Sequence, residues 1–184
     1  PANSKRKGSD YTALFVMTAA EDGNWYVRFL LRDRLNLSER IELVLEKHRE
    51  FQPKRTAYES YGMQADIEAI KMEQERQGYR FDIYPLGGQL AKYDRIMTLM
   101  PLFEQGRIYF PKGVAIHTRD SGYQDQVVTF RDQEYLAWPY SAHDDGLDCL
   151  ARINDPDLGM IWPKPGGAGG RRARQHRRQP GFVV

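Results

Sequence analysis

Two short apolar runs, Tyr11–Met17 and Trp25–Leu31, stand on either side of Glu21-Asp22-Gly23-Asn24. Asp-Gly between runs of this kind predicts a β-hairpin. The period then changes. Ile41, Val44 and Leu45 recur at helical spacing with His48 in phase, and Ser38 is a natural N-cap, so Ser38–Phe51 reads as an amphipathic helix. Arg55–Glu59 predicts a short strand after Pro53, Gln64–Gln77 a helix ended by Gly78, and Phe81–Tyr84 a strand closed by Pro85. A helix over Leu90–Glu104 should kink or split at Pro101, with a brief strand after it at Ile108–Phe110. Gln124–Leu136 and Ser141–Ile153 read as the last helices, and Ile67, Ile70, Ile96, Leu99 and Met100 are in phase for the core. Strands alternating with helices after an opening hairpin describe a mixed α/β sheet.

Past Pro156 the periodicity stops, and Lys164-Pro165-Gly166-Gly167-Ala168-Gly169-Gly170 has the composition of a linker. The expected division is therefore a folded domain over 1–155 and a Gly/Pro linker with an arginine-rich tail over 156–184. Charge follows the same division. Five of the 27 basic residues fall in 171–184, which holds no acid, so 1–170 carries 22 basic against 25 acidic residues. A single cysteine, Cys149, excludes an internal disulfide framework and a Cys-based zinc cluster, and it is expected to be buried and inert. No apolar run reaches the roughly 20 residues of a membrane span, which points to a soluble protein with no membrane partner. The chain opens on Pro1 with loop-like residues, and the expectation is a true start upstream.

Chemistry concentrates in Tyr140–Leu150, where Asp144, Asp145 and Asp148 put three carboxylates within five residues. With Ser141 as N-cap, Asp144 and Asp145 would occupy the first helical turn, and Asp148 would share their face. A solvated, well-capped helix start is the plain reading. The sharper one is a hard divalent cation, because Mg²⁺ or Mn²⁺ takes oxygen ligands and relieves the repulsion among acids. Glu59 ends a strand, where α/β sheets gather ligands, and with the aspartates it would form half of a two-metal phosphoryl-transfer site. His48 and His117 have no companions at zinc-ligand spacing, and His143 either orients a carboxylate or is a structural neighbour of the helix start.

Four stretches in order carry a family resemblance: Pro1-Ala2 with Gly8–Leu14, Tyr58–Gly62, Lys92–Ile96 with Glu104–Ile108, and His143–Leu150. Together they resemble the C-terminal nuclease domain of viral terminase large subunits, an RNase H-like fold. Cys149 stands where that family usually has alanine. The resemblance implies an RNase H-like mixed sheet flanked by helices, a Mg²⁺ or Mn²⁺ two-metal site, and hydrolysis of concatemeric double-stranded DNA during genome packaging. It also implies portal protein and small terminase subunit as partners, in the host cytoplasm. Glu59, Asp144, Asp145 and Asp148 would be the acids, with Glu59, Asp145 and Asp148 on metal. The family's first aspartate and its strand would precede Pro1, so the first strand is expected to be missing and the fragment to be inactive for want of it. Asp10 reads as a turn cap rather than a substitute.

Lys92 and Arg95 on one helix face, and Lys5, Arg6 and Lys7 before the hairpin, are candidates to grip DNA phosphates, against the plainer reading of solvated surface charge. No Gly-x-x-x-x-Gly-Lys-Ser/Thr occurs, so this stretch carries no ATPase motor. Two other readings stay open: a resolvase or transposase of the same fold, and a catalytically inactive module that docks on DNA or portal.

Overall fold

The computed structural model describes residues 11–59, 64–88, 90–119 and 121–163, together with the backbone of 181–183. β1 (Thr12–Ala19) and β2 (Trp25–Asp33) form the expected antiparallel hairpin. In its turn Gly23 has φ 78°, and a side chain there would strike the Arg107 guanidinium, which donates to Gly23 O at 2.7 Å. Val16 pairs with Phe29 but Met17 with Val27, so exposed Arg28 is the extra residue of a bulge.

The later strands are β3 (Arg55–Glu59), β4 (Ile83–Leu86), β5 (Ile108–Tyr109), β6 (Ala115–Thr118), β7 (Gly122–Asp125) and β8 (Gly181–Val183). Their main sheet runs β4-β3-β8-β1-β2-β5, while β6 and β7 pair separately as a small hairpin. β3 is parallel to both β4 and β8, whereas β1 is antiparallel to β2 and β8. The helices are α1 (Leu37–Phe51), α2 (Gln64–Arg76), α3 (Lys92–Met97), α4 (Met100–Glu104), α5 (Gln126–Phe130) and α6 (Asp145–Ala151). β1 is buried on both faces, which explains its nearly unbroken apolar run. Leu14 and Val16 pack with Val44 of α1 on one face, and Phe15, Met17 and Ala19 pack with Ile96, Leu147 and Leu150 on the other. Helices on both sides of a mixed sheet are the architecture of an RNase H-like domain.

Several elements differ from expectation for identifiable reasons. α1 is capped by Asn36 instead of Ser38: Asn36 Oδ1 accepts from Glu39 N–H at 3.0 Å and Glu39 Oε2 from Asn36 N–H at 2.8 Å, a complete capping box. β4 lies two residues later than predicted and contains Pro85, tolerated because β4 is an edge strand of the sheet. The helix expected over 90–104 breaks at Thr98-Leu99, so that Pro101 falls in the first turn of α4. Gln124–Leu136 is not one helix. Its start belongs to β7, Asp125 Oδ1 caps α5 through Val127 N–H at 2.9 Å, and Arg131–Tyr135 forms a π-helical turn. Packing also continues past residue 155, since Leu158 is fully buried against Ala57 and Leu86.

The start of α6 departs most from the sequence. It begins at Asp145, with Asp144 as N-cap but no side-chain cap, and Ser141 lies outside it. The missing cap comes from elsewhere in the fold. Glu134, 1% exposed, accepts Leu147 N–H at 2.9 Å and is paired with Arg32 Nη1 at 2.7 Å. Gly146 makes room for it, because a Cβ there would meet both Glu134 carboxylate oxygens at 2.9 Å. Burial raises the Glu134 pKa, against the lowering effects of Leu147 N–H and Arg32.

Two outcomes follow. Glu134→Ala removes the carboxylate partner of the nearly buried Arg32 and uncaps α6, and should cost about 3–5 kcal/mol in urea unfolding. Because the folded state holds the Glu134 proton more tightly than the unfolded chain, its contribution is full below the ordinary glutamate pKa and is lost as pH rises through the raised one. Glu134→Gln should remove that fall. His48 works with the opposite sign: it stacks on Phe81 with centroids 3.6 Å apart, and burial lowers its pKa from 6.5 to about 4. Its contribution is full above pH 6.5 and lost as pH falls toward 4, and His48→Phe, which keeps the stack, should flatten the urea midpoint across that range.

Candidate functional site

Glu59 closes β3 at the carboxyl end of the sheet, and the first turn of α6 comes up across from it. Glu59, Asp145 and Asp148 consequently line one cleft of about 140 Å³, with Thr12–Leu14 of β1 forming its floor beside Ala57 and Tyr58. Two acidic sites more than 80 residues apart in sequence are thus brought together by the tertiary fold.

Each acid is met by a cation of the chain itself. Arg152, its side chain only 6% exposed, donates from Nη2 to Glu59 Oε1 at 2.7 Å. Its Nη1 donates to Gly87 O at 2.7 Å and to Asp155 Oδ2 at 3.1 Å, which ties the end of α6 to the ends of β3 and β4. Arg95 forks onto Asp148, Nε to Oδ1 at 2.6 Å and Nη2 to Oδ2 at 2.9 Å. That fork raises the Arg95 pKa against the effect of burial. Lys92 Nζ lies 2.6 Å from Asp144 Oδ1 and 3.2 Å from Asp145 Oδ1. Burial works against the Lys92 ammonium, but its bonds to and the charge of the two aspartates prevail and its pKa is raised.

Lys92 and Arg95 therefore face the acids, where the helix-face reading had them facing phosphates. Lys5, Arg6, Lys7 and Asp10 lie outside the described residues, as do Ser60–Gly62 and the arginines of the tail. His143 packs edge-on against Tyr11 with ring centroids 4.7 Å apart, a neighbour of the helix start. Cys149 is half-buried on the cleft wall and its thiol donates to Ala13 O at 3.5 Å. Burial pushes its pKa well up, so it stays protonated. Sequence reasoning missed two residues. Arg152 stands one turn beyond Asp148, a spacing that could have flagged it. Glu134 had no local signal, because its contact with α6 is purely tertiary.

Carboxylate oxygens are the right donors for a hard divalent cation. Their number falls short: among the described residues, no group of three or more His, Cys, Asp and Glu side chains is gathered so as to hold a metal ion. Glu59, Asp145 and Asp148 could hold one only with a further ligand or a shift of the cations now on them.

A family model described as a terminase RNaseH-like domain matches residues 1–121. The match takes in the hairpin, Glu59, Lys92 and Arg95, and ends before Asp144. Comparison with curated proteins and with solved structures gave no match. The matched stretch, well over half of the 184 residues, folds into the mixed sheet and carries one wall of the acidic cleft. The chain belongs to the terminase RNaseH-like domain family.

Proposed function

We propose that this domain is the metal-dependent endonuclease of a viral genome-packaging terminase, hydrolysing phosphodiesters of concatemeric double-stranded DNA at the cleft between β3 and α6. The observation that carries the reading is the convergence of Glu59 with Asp145 and Asp148 on one cleft in a chain of this family. Membership of a terminase family favours it over a resolvase or transposase.

A pair of Mg²⁺ or Mn²⁺ ions, held by Glu59 and Asp145 with Asp148 beside them, would supply an activated water and offset the charge of the scissile phosphate. The chain's own residues divide the remaining work. Arg152 orients Glu59 through Oε1 alone. Arg95 engages both oxygens of Asp148, and that closed pair makes Asp148 the acid hardest to free. Lys92 and Asp145 are 40% and 27% exposed and 3.2 Å apart, a contact of small net worth. Asp145 is thus the aspartate most easily released to a cation, and a released Lys92 is positioned to hold a backbone phosphate. The family's first aspartate, expected upstream of Pro1, would complete the donor set. Portal protein, small terminase subunit and a site of action in the host cytoplasm belong to this reading as partners and setting.

The short donor set favours one alternative, an inactive module that only docks on DNA or portal. Supercoiled plasmid in Mn²⁺ separates the two, using this chain and one extended upstream. The nuclease reading expects nicking by the extended chain that EDTA and Asp145→Ala both abolish. It expects Arg152→Ala, acting through Glu59, to lower cutting about 10–100-fold and to raise the Mn²⁺ concentration required. DNA binding that is salt-sensitive yet indifferent to EDTA and Asp145→Ala, with intact plasmid, would establish the docking module.

A further inference from the structure

The three cations at the acidic cleft are not equally fixed. Arg152 and Arg95 have side chains 6% and 11% exposed and each makes several bonds, whereas Lys92 is 40% exposed and offers one ammonium to two carboxylates. Its Nζ lies 2.6 Å from Asp144 Oδ1 and 3.2 Å from Asp145 Oδ1. The backbone beneath it is anchored independently, since Ile96 of α3 is fully buried and Arg95 holds Asp148. The lysine side chain can therefore swing without moving α3. The two aspartates also differ. Asp145 lines the cleft with Glu59 and Asp148, and Asp144 is not among the residues that line it. Asp144 is the N-cap of α6, yet its side chain makes no capping bond, and only its backbone O serves the helix, accepting from Asp148 N–H at 2.9 Å. The Asp144 carboxylate meets Lys92 instead.

We propose that Asp144 is a positioning residue, a tether for Lys92 and not a metal ligand, and that Lys92 is a built-in counter-ion which a divalent cation displaces from Asp145. The inference rests on the metal-dependent reading of the cleft and adds its regulation. An ammonium and a metal ion cannot share Asp145 Oδ1, because both need its lone pairs and like charges a few ångströms apart repel. Displacement breaks only the longer of the two lysine contacts, and the shorter one keeps the ammonium paired. No charge is left stranded by the exchange. Without Asp144 the lysine would have Asp145 alone to pair with, and it would compete harder with the metal.

Mn²⁺ binding, followed through loss of the free-ion EPR signal, tests this without any DNA cutting. The upstream-extended chain is compared with its Lys92→Met, Asp144→Asn and doubly substituted forms. Lys92 and Asp144 are both well exposed and their pair is of small net worth, so all three variants should keep the urea midpoint of the unaltered chain. Lys92→Met should tighten Mn²⁺ about tenfold, because a unit charge beside the ion is gone. Asp144→Asn alone should weaken it about threefold or more, by leaving Lys92 to Asp145. The double variant decides. With no lysine to hold, adding Asp144→Asn to Lys92→Met should cost less than about threefold, so the two effects are non-additive. A larger loss in that background makes Asp144 a ligand and overturns the tether. Binding no tighter to Lys92→Met than to the unaltered chain overturns the counter-ion. In both cases the metal site itself stands if Asp145→Ala abolishes Mn²⁺ binding. Absence of Asp145-dependent Mn²⁺ binding in every form overturns the metal reading of the cleft, and this inference with it.

Discussion

Burial of β1 on both faces is the constraint from which the rest of this domain follows. A strand with helices on each side presents apolar side chains in both directions, and Leu14 through Met17 are each at most 4% exposed. At roughly 1.5–3 kcal/mol for each large apolar side chain fully buried, Phe15 and Met17 together outweigh an exposed ion pair worth roughly 0–1 kcal/mol. α6 packs on this strand through Leu147 and Leu150. The acids at its first turn are therefore positioned by hydrophobic contact and not by their own electrostatics. Placing them there costs free energy, because it brings like charges together next to Glu59.

The chain offsets that cost with its own cations. Arg152 and Arg95 are nearly buried and closely engaged, while Lys92 is half-exposed and spans Asp144 and Asp145. The same three side chains offset the like charges of the acidic cleft. Ion pairs of this kind let an acidic cleft persist without an added cation. Glu134 acts beneath it, satisfying a backbone donor that α6 would otherwise leave unmet.

How much of this was legible in the sequence depended on the range of the interaction. The β1–β2 hairpin, β3 ending at Glu59, and the core roles of Ile70, Ile96 and Leu99 were readable because period and turn chemistry are local. The helix expected over 124–136 failed because Asp125 caps a helix that starts after it, while the residues before it pair with β6. Ser141 looked like a cap since serine suits that place, but α6 starts only at Asp145, where Glu134 from another element accepts from Leu147 N–H. Lys92 and Arg95 were recognised as a pair on one helix face, yet what that face meets is invisible one-dimensionally.

By itself the sequence determined the mixed α/β class, the strand that ends in Glu59 and the cluster Asp144, Asp145 and Asp148, because secondary structure and charge spacing depend on near neighbours. It also carried the family. Only the tertiary structure decided that these acids share a cleft, that Arg152, Arg95 and Lys92 hold them, and that Gly181–Val183 fills the centre of the sheet. Those outcomes depend on contacts between residues tens of positions apart, where packing two faces of one strand leaves few arrangements, and local preference selects none of them.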